Sequence, residues 1–359
     1  MSSLLSTIKR YERHLSALSM AAGSAFDNYY LGRVDNPATQ IVLFVYLLFA
    51  VGSILLLHFI ESRAELEGML QRAHPLLVAA TQFAFGGLWS AFLIFYGRSA
   101  VMAASWPFLI ILAAMLVGNE MFQKYQSRLV FTCTLLFFAL FSYAIFVVPM
   151  FTGTMGRRTF LLSGVPAVVG FGLVLIALWA IGPERMRKAW REIALGALGV
   201  FASINLFYFT NILPPLPLAL ANAGVFHSVT KVGDTYRAIA EPQAWYGAAG
   251  TRPILHMAPG EPLYLYSAVF APIQLRTNIV HIWRRYDEAE GHWRNESIVT
   301  FPIAGGRDGG YRGYSIKSNP RAGRWRVDIE TPDGLLVGRV AFFVASGSGA
   351  AAKTVQILR

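Results

Sequence analysis

Few residue sets in this chain have types and spacings that could bind or transform a ligand. One is Asp27-Asn28-Tyr29-Tyr30, followed by Arg33 and Asp35. A carboxylate at membrane depth is costly and marks a functional position by default. Asp27 and Asn28 are therefore candidates for an outward-facing polar pocket. A second set is Asn205, Tyr208 and Asn211, three residues apart along about one helix face, suited to hydrogen-bonding a ligand or a neighbouring helix. A third is Arg33, Arg98, Arg157 and Arg158. Guanidinium forks match phosphate, which makes anionic lipid headgroups their expected ligands. The fourth joins Trp245, Tyr246, Trp283, Tyr286, Trp293, Tyr311 and Tyr314 to Arg284, Arg285 and Arg312. Aromatic and arginine side chains anchor interfaces. Part of this set is expected in a core, and part on a face that meets protein or glycan.

Recognised catalytic patterns are missing from the sequence: no GxSxG elbow, HExxH, P-loop or dinucleotide fingerprint occurs. His256, His281 and His292 stand singly, without metal spacing, and Cys133 is the one cysteine, inside an apolar run. "YDEAEGHW", with Asp287, Glu288 and Glu290, reads as a hairpin loop. No catalytic residue, metal or cofactor is expected.

The elements that must position these residues differ between the two halves. Of 359 residues 55% are hydrophobic and only 14% charged, where soluble domains carry about 25% charged. Six segments are apolar and long enough to cross a bilayer: roughly Ala38–Ile60, His74–Tyr96, Ser99–Gly118, Leu129–Phe151, Phe160–Ile181 and Ile193–Leu213. A seventh candidate, Glu12–Leu31, is less apolar. If it crosses, Lys9, Arg10, Arg13, Arg63, Arg72, Lys124, Arg128, Arg185, Arg187, Lys188 and Arg191 share one side, eleven basic residues against four. If it does not, the split is eight against seven. The positive-inside bias favours crossing, with a cytoplasmic N-terminus and an external C-terminus. The net charge of +11 is split +6 before residue 225 and +5 after, and no basic run tracks phosphates, so nucleic acid is not an expected partner.

After residue 232 the periodicity changes. "LYLYSAVF" (263–270), "NIVHIWRR" (278–285), "SIVTFPI" (297–303), "YRGYSI" (311–316) and "TYRAIAE" (235–241) are short and rich in β-branched and aromatic residues. In "GRWRVDIE", Trp325, Val327 and Ile329 alternate with Arg324, Arg326, Asp328 and Glu330, a half-buried strand. Thr331-Pro332-Asp333-Gly334 then turns the chain into a returning strand, Leu336 to Val344. The expected architecture is an α-helical polytopic membrane bundle of about seven spans (1–212), a proline-rich exit (213–232), an all-β immunoglobulin-like sandwich (233–346) and a flexible tail (347–359). Pro214, Pro215 and Pro217 cannot sit inside a helix, so they end the last span and stiffen the exit.

"INLFYFTNILPPLPLALANAGVFHSV", "HIW", "YRGYS" and "GRWRVDIETPDGLLVGRVAFFV" resemble a bacterial family of uncharacterised membrane proteins whose C-terminal module is the domain of unknown function 2914. "GNE" (118–120) and "LGRVD" (31–35) resemble that family's membrane portion. The resemblance implies an inner-membrane protein with a periplasmic module, and it brings no activity or site residues. The expected function is non-enzymatic: the bundle anchors and positions the sandwich for interaction with another envelope protein or a glycan, in contact with membrane lipids. The alternatives are a transporter of lipids or lipid-linked substrates, a channel-like subunit, or a membrane enzyme with Asp27 as its acid.

Overall fold

The computed structural model describes residues 35–63, 69–99, 101–121, 129–241, 252–306, 309–347 and 353–358. The candidate span at 12–31 lies outside them. Among the described residues six helices come first: α1 (Pro37–Ser62), α2 (Met69–Ser99), α3 (Met102–Met121), α4 (Leu129–Thr152), α5 (Arg157–Ile181) and α6 (Pro183–Phe209). Five are long and apolar enough to cross a membrane. Within α3 the apolar portion is the shorter stretch Ala104–Gly118. Local signals set the boundaries. Asn36 caps α1 by accepting from the Ala38 N–H (3.0 Å), and Pro37 opens the helix. Gly182 separates α5 from α6, which Pro183 opens. Asn211 takes a left-handed φ of 58° where α6 ends.

The helices are apolar on both their inner and outer surfaces. Inside, the Trp89 ring stacks on Phe85 at 5.7 Å and Phe160 on Tyr208 at 3.7 Å. Outside, Phe44, Leu48, Leu56, Leu161, Leu162, Leu173, Ile176 and Leu195 are exposed. Such a surface is unfavourable in water and neutral against lipid.

The chain divides into two compact units, the second comprising 98–103, 149–157 and 214–359. Its described residues form eleven strands: β1 (Ala219–Phe226), β2 (Ser228–Val232), β3 (Thr235–Ala240), β4 (Ile254–Met257), β5 (Leu263–Phe270), β6 (Arg276–Asp287), β7 (His292–Ala304), β8 (Tyr311–Lys317), β9 (Gly323–Glu330), β10 (Leu336–Ser346) and β11 (Thr354–Leu358). They form three sheets, ordered β1-β5-β8, β4-β10-β9-β6-β7 and β11-β3-β2. The seven strands expected from the sequence are present, but their arrangement is not the expected pair of sheets. The β1-β5-β8 sheet lies between the other two, because β5 buries both of its faces. Leu263, Leu265 and Val269 join Trp283, Trp325, Val327 and Phe342 in the larger core. Tyr266 and Ala268 join Val229, Tyr236, Ala238 and Leu358 in the smaller one.

Two boundaries also differ from expectation. Residues 219–232 form strands instead of a linker, and Pro214–Leu218 is buried, with Leu218 in the larger core. Residues 354–358, placed in the flexible tail by their Ser/Gly/Ala-rich surroundings, form β11 and pair with β3. Short polar strands of this kind gain order from backbone pairing and leave little trace in hydrophobic periodicity.

A cluster of charged side chains joins the third sheet to its surroundings. His227, between β1 and β2, has Nε2 at 2.9 Å from Glu241 Oε1 and Nδ1 at 3.1 Å from Glu261 Oε1. The second oxygen of Glu241 lies 2.9 Å from His256 Nδ1, and Lys353, just before β11, donates to Glu261 at 2.8 Å. Burial works against the Glu241 charge, but hydrogen bonds from His256 and His227 outweigh it and hold the carboxyl below its ordinary value. Glu261 is held low in the same way by Lys353, Ala258 N–H and His227. A depressed carboxylate contributes stability that is present above its unfolded value and lost as pH falls through the folded one. Hydrogen exchange at β11 amides, corrected for intrinsic rate, is thus expected to be flat near neutrality and to accelerate below pH 4.5, the ordinary value of this group. Glu241→Gln gives that acceleration already at pH 7, by about 1–3 kcal/mol of protection.

Candidate functional site

The five-stranded sheet buries one face and leaves the other open. On β9, Trp325, Val327 and Ile329 point into the core. Their neighbours Arg324, Arg326, Asp328 and Glu330 occupy the opposite face, since successive strand side chains alternate. Strand register assembles this face into rows. Ile254 (β4) pairs with Phe343 (β10), and Phe343 with Arg324 (β9). The Arg324 guanidinium carbon sits 3.9 Å over the Tyr286 ring (β6), and Tyr286 pairs with Trp293 (β7). Five strands make this row about 20 Å wide at the usual strand spacing. The next row is Ala341, Arg326, Arg284 and Asn295, and the third is Arg339, Asp328, Ile282 and Ile298. Ile254 (54%), Phe343 (39%) and Ile298 (59%) are exposed. Large apolar side chains grouped among arginines on an open sheet are a mark of an interaction surface.

Electrostatics organise the middle of the face. Asp328 is fully buried although it points outward, because arginines fold over it. Arg284 donates to its Oδ2 and Arg339 to its Oδ1. Arg284 also donates to Asn295 (2.9 Å) and, at 3.4 Å, to Glu330. Arg326 lies with its guanidinium carbon 4.5 Å over the Trp293 ring, and its Nε is 3.5 Å from Asp328 Oδ2. Burial depresses the Arg326 guanidinium; Asp328 opposes that, while Arg339 and Arg284 add to it. Burial likewise raises the Glu330 carboxyl, against the pull of Arg284.

The expected residues divide between this face, the core and other surfaces. Arg284, Tyr286 and Trp293 lie on the face. Trp283 does not: it is fully buried, edge-on to Trp325 and Phe342, with its indole N–H donated to Ser315 at 3.0 Å. Strand alternation puts it on the opposite side from Arg284. Tyr314 sits on β8, in a different sheet, with its ring near those of Tyr236 (β3) and Tyr264 (β5). Tyr311 lines a shallow groove of about 600 Å³ with Arg276, Asn278 and Pro332. Trp245, Tyr246, Asp27, Asn28 and Arg33 lie outside the described residues. Arg98, Arg157 and Arg158 are exposed, and the Arg157 backbone N–H donates to Asp333 at 3.3 Å. Asn205 donates to the Phe201 carbonyl of its own helix (2.8 Å). Tyr208 is buried against Phe160, and Asn211 ends α6.

Two polar clusters escaped the sequence reading because their members are far apart in the chain. In the helical unit, Glu61 accepts from His74 (2.9 Å) and Arg185, while His58 Nε2 donates to the Leu178 carbonyl (3.0 Å). In the β unit, His281 lies between Ser267 and Ser315, each at 2.9 Å. That distance suits a serine and its base, but all three side chains are buried, at 0–2% exposure, and no substrate reaches them. Their role is to tie two sheets together through satisfied hydrogen bonds. Burial pushes the His281 imidazole down to about 4 from 6.5. Its contribution is full above pH 6.5 and is lost as pH falls from 6.5 towards 4, by about 3 kcal/mol. Chemical denaturation of the full chain in lipid discs at pH 7 and pH 4 checks this: His281→Gln is expected to show a shallower pH dependence than the wild type.

Residues 276–344, which run from β6 to β10, match the family model described as Protein of unknown function (DUF2914). No curated protein matches the chain. Among solved structures, a β-glucosidase from Listeria innocua in complex with gluconolactone is 10% identical at a TM-score of 0.19, covering 37% of this chain and 18% of that one. The alkylpurine DNA glycosylase AlkC of Pseudomonas fluorescens, bound to DNA containing an abasic site analog, is 9% identical at 0.22, covering 84% and 98%. Neither likeness reaches a shared fold.

Proposed function

We propose that this protein is a non-enzymatic component of the bacterial inner membrane whose helices anchor and position a periplasmic β module for interaction with another envelope protein or a glycan. The observation that carries this reading is the open face of the five-stranded sheet. It collects exposed Ile254, Phe343 and Ile298 among stacked arginines, in a chain that also carries helices long and apolar enough to cross a membrane. Nearly the whole of this face falls within the matched residues 276–344. The positive-inside count puts the N-terminus in the cytoplasm and the β module outside.

Two experiments test the proposal. A reporter fused after Arg359 is expected to be active only when it functions outside the cytoplasm, and cytoplasmic activity overturns the topology. A photo-crosslinking amino acid at position 343 is expected to join the protein to one envelope component in intact cells, while the same group at exposed Val232, on a different sheet, does not. Equal products from both positions would contradict a dedicated face. A second reading, a subunit moving a lipid or lipid-linked substrate, draws on the Glu61, His74 and Arg185 cluster. It requires transport to collapse in Glu61→Gln at unchanged protein level.

A further inference from the structure

We infer that the middle of the open sheet face is an oxyanion site, built by Arg326 and Arg339 beside buried Asp328, which accepts a carboxylate from an acidic protein partner. This inference deepens the interaction reading above and rests on it for the identity of the occupant. The site itself rests on a charge count and on an unmet hydrogen bond. Three guanidiniums, Arg284, Arg326 and Arg339, surround two carboxylates, Asp328 and Glu330. One positive charge is therefore left over in a place where the arginine side chains are only 20–30% exposed. Asp328 brings a single negative charge to three guanidiniums: Arg284 donates to Oδ2, Arg339 to Oδ1, and Arg326 Nε stands 3.5 Å from Oδ2. Glu330 forms an ion pair with Arg284, at 3.4 Å.

The surplus falls on Arg326. Its Nε is buried and finds no hydrogen-bond acceptor among the described residues, with Asp328 Oδ2 3.5 Å away. The guanidinium is thus under-paired within the protein, and a ligand can reach it through the N–H groups of a side chain that is still 20% exposed. The Trp293 ring, 4.5 Å beneath the guanidinium, fixes its plane, so little rotamer freedom remains to be lost on binding. A carboxylate lying across Arg326 and Arg339 balances the charge and offers acceptors to both.

The neighbouring residues choose the occupant. Sugars bind aromatic platforms through free ring faces, but here arginines lie over Tyr286 and Trp293. What remains open beside the arginines is aliphatic and phenyl surface, from Ile254, Phe343 and Ile298. An acidic side chain flanked by apolar ones fits that surface, and this is the chemistry of a protein.

The test uses the full chain in lipid discs with labelled arginines, titrated with acetate, with inorganic phosphate, with oligogalacturonate and with a short peptide of alternating aspartate and leucine. Saturable shifts of the Arg326 and Arg339 Nε–H resonances are expected with acetate, at least tenfold tighter with the peptide, and lost in both Arg326→Gln and Arg339→Gln. Retained β-sheet amide signals in these variants show that folding is intact; Arg326→Lys provides a second variant that keeps the charge but loses the fork. No saturable shift, or a shift that persists in both glutamine variants, overturns the site. Tighter binding of phosphate than of acetate overturns the carboxylate assignment, and tighter binding of oligogalacturonate than of the peptide overturns the protein partner. Because the titration uses no cellular component, its failure is separate from failure of the crosslinking experiment.

Discussion

Asp328→Ala is expected to cost the β unit about 3–5 kcal/mol, among the largest effects of any single change in this protein. Asp328 is fully buried, and its two oxygens serve Arg284 and Arg339 while Arg326 stands at 3.5 Å. Removing it leaves three guanidiniums side by side with Glu330 as their one remaining carboxylate. Like charges repel strongly where water is partly excluded. The pair does not have to be net stabilising for this to hold, because breaking a buried ion pair from one side is costly even where replacing all of it by apolar residues is not. Asp328→Asn keeps the shape and some acceptor capacity, so its loss is smaller. Joint replacement of Arg284, Asp328 and Arg339 by apolar residues of similar volume recovers most of the stability. Hydrogen exchange at β6, β9 and β10 amides of the full chain gives the values. A loss under 1 kcal/mol for Asp328→Ala would show that the arginines do not depend on it.

Trp283→Ala is expected to lower stability by a similar amount, about 3–5 kcal/mol, without a selective effect on binding. The indole is fully buried between two layers, with Trp325 and Phe342 as edge-on neighbours at 6.5 and 6.2 Å. Truncation removes that contact area and opens a cavity. It also takes away the indole N–H that donates to Ser315, whose hydroxyl bonds His281 as well, so a buried polar seam loses a member. Trp293→Ala, on the open face, is expected to behave in the opposite way. Its ring is partly exposed and carries Arg326, so stability changes little and the arginine titration changes more. Thermal unfolding of the two variants in lipid discs, paired with the arginine signals, separates the roles. Equal destabilisation by both changes would contradict the assignment of Trp283 to the core and Trp293 to the face.

How far the sequence carries can be seen residue by residue. In 323–330 the alternation of Trp325, Val327 and Ile329 with Arg324, Arg326, Asp328 and Glu330 already separates core from open face, because a strand has a period of two. The turn at 331–334 is equally legible: the Gly334 N–H donates back to Thr331, and Gly334 takes a φ of 81°. Register is not legible. That Arg339 lies opposite Asp328, and Phe343 opposite Arg324, depends on an irregularity between Leu336 and Gly338 that composition does not announce. The same holds for His227, Glu241, Glu261 and Lys353, which meet only through sheet order. Trp283 and Arg284 are neighbours in sequence with opposite fates, and an aromatic-rich list cannot divide them until the strand's two faces are known. The third sheet was missed because β2 and β11 are five residues each and mostly exposed, so they lack an apolar pattern.

The central claim is that the open face of the five-stranded sheet holds an envelope partner while the helices keep it at the membrane. The measurement that tests it most directly is native extraction of the full-length protein into lipid discs, followed by mass spectrometry of everything retained, for the wild type and for a Phe343→Ser, Ile254→Ser variant. Both substituted side chains are exposed, so the β unit is expected to stay folded. The prediction is one stoichiometric envelope component with the wild type and its loss from the variant. A wild-type disc holding only bulk lipid, or a component that stays bound when the face is changed, would contradict the claim.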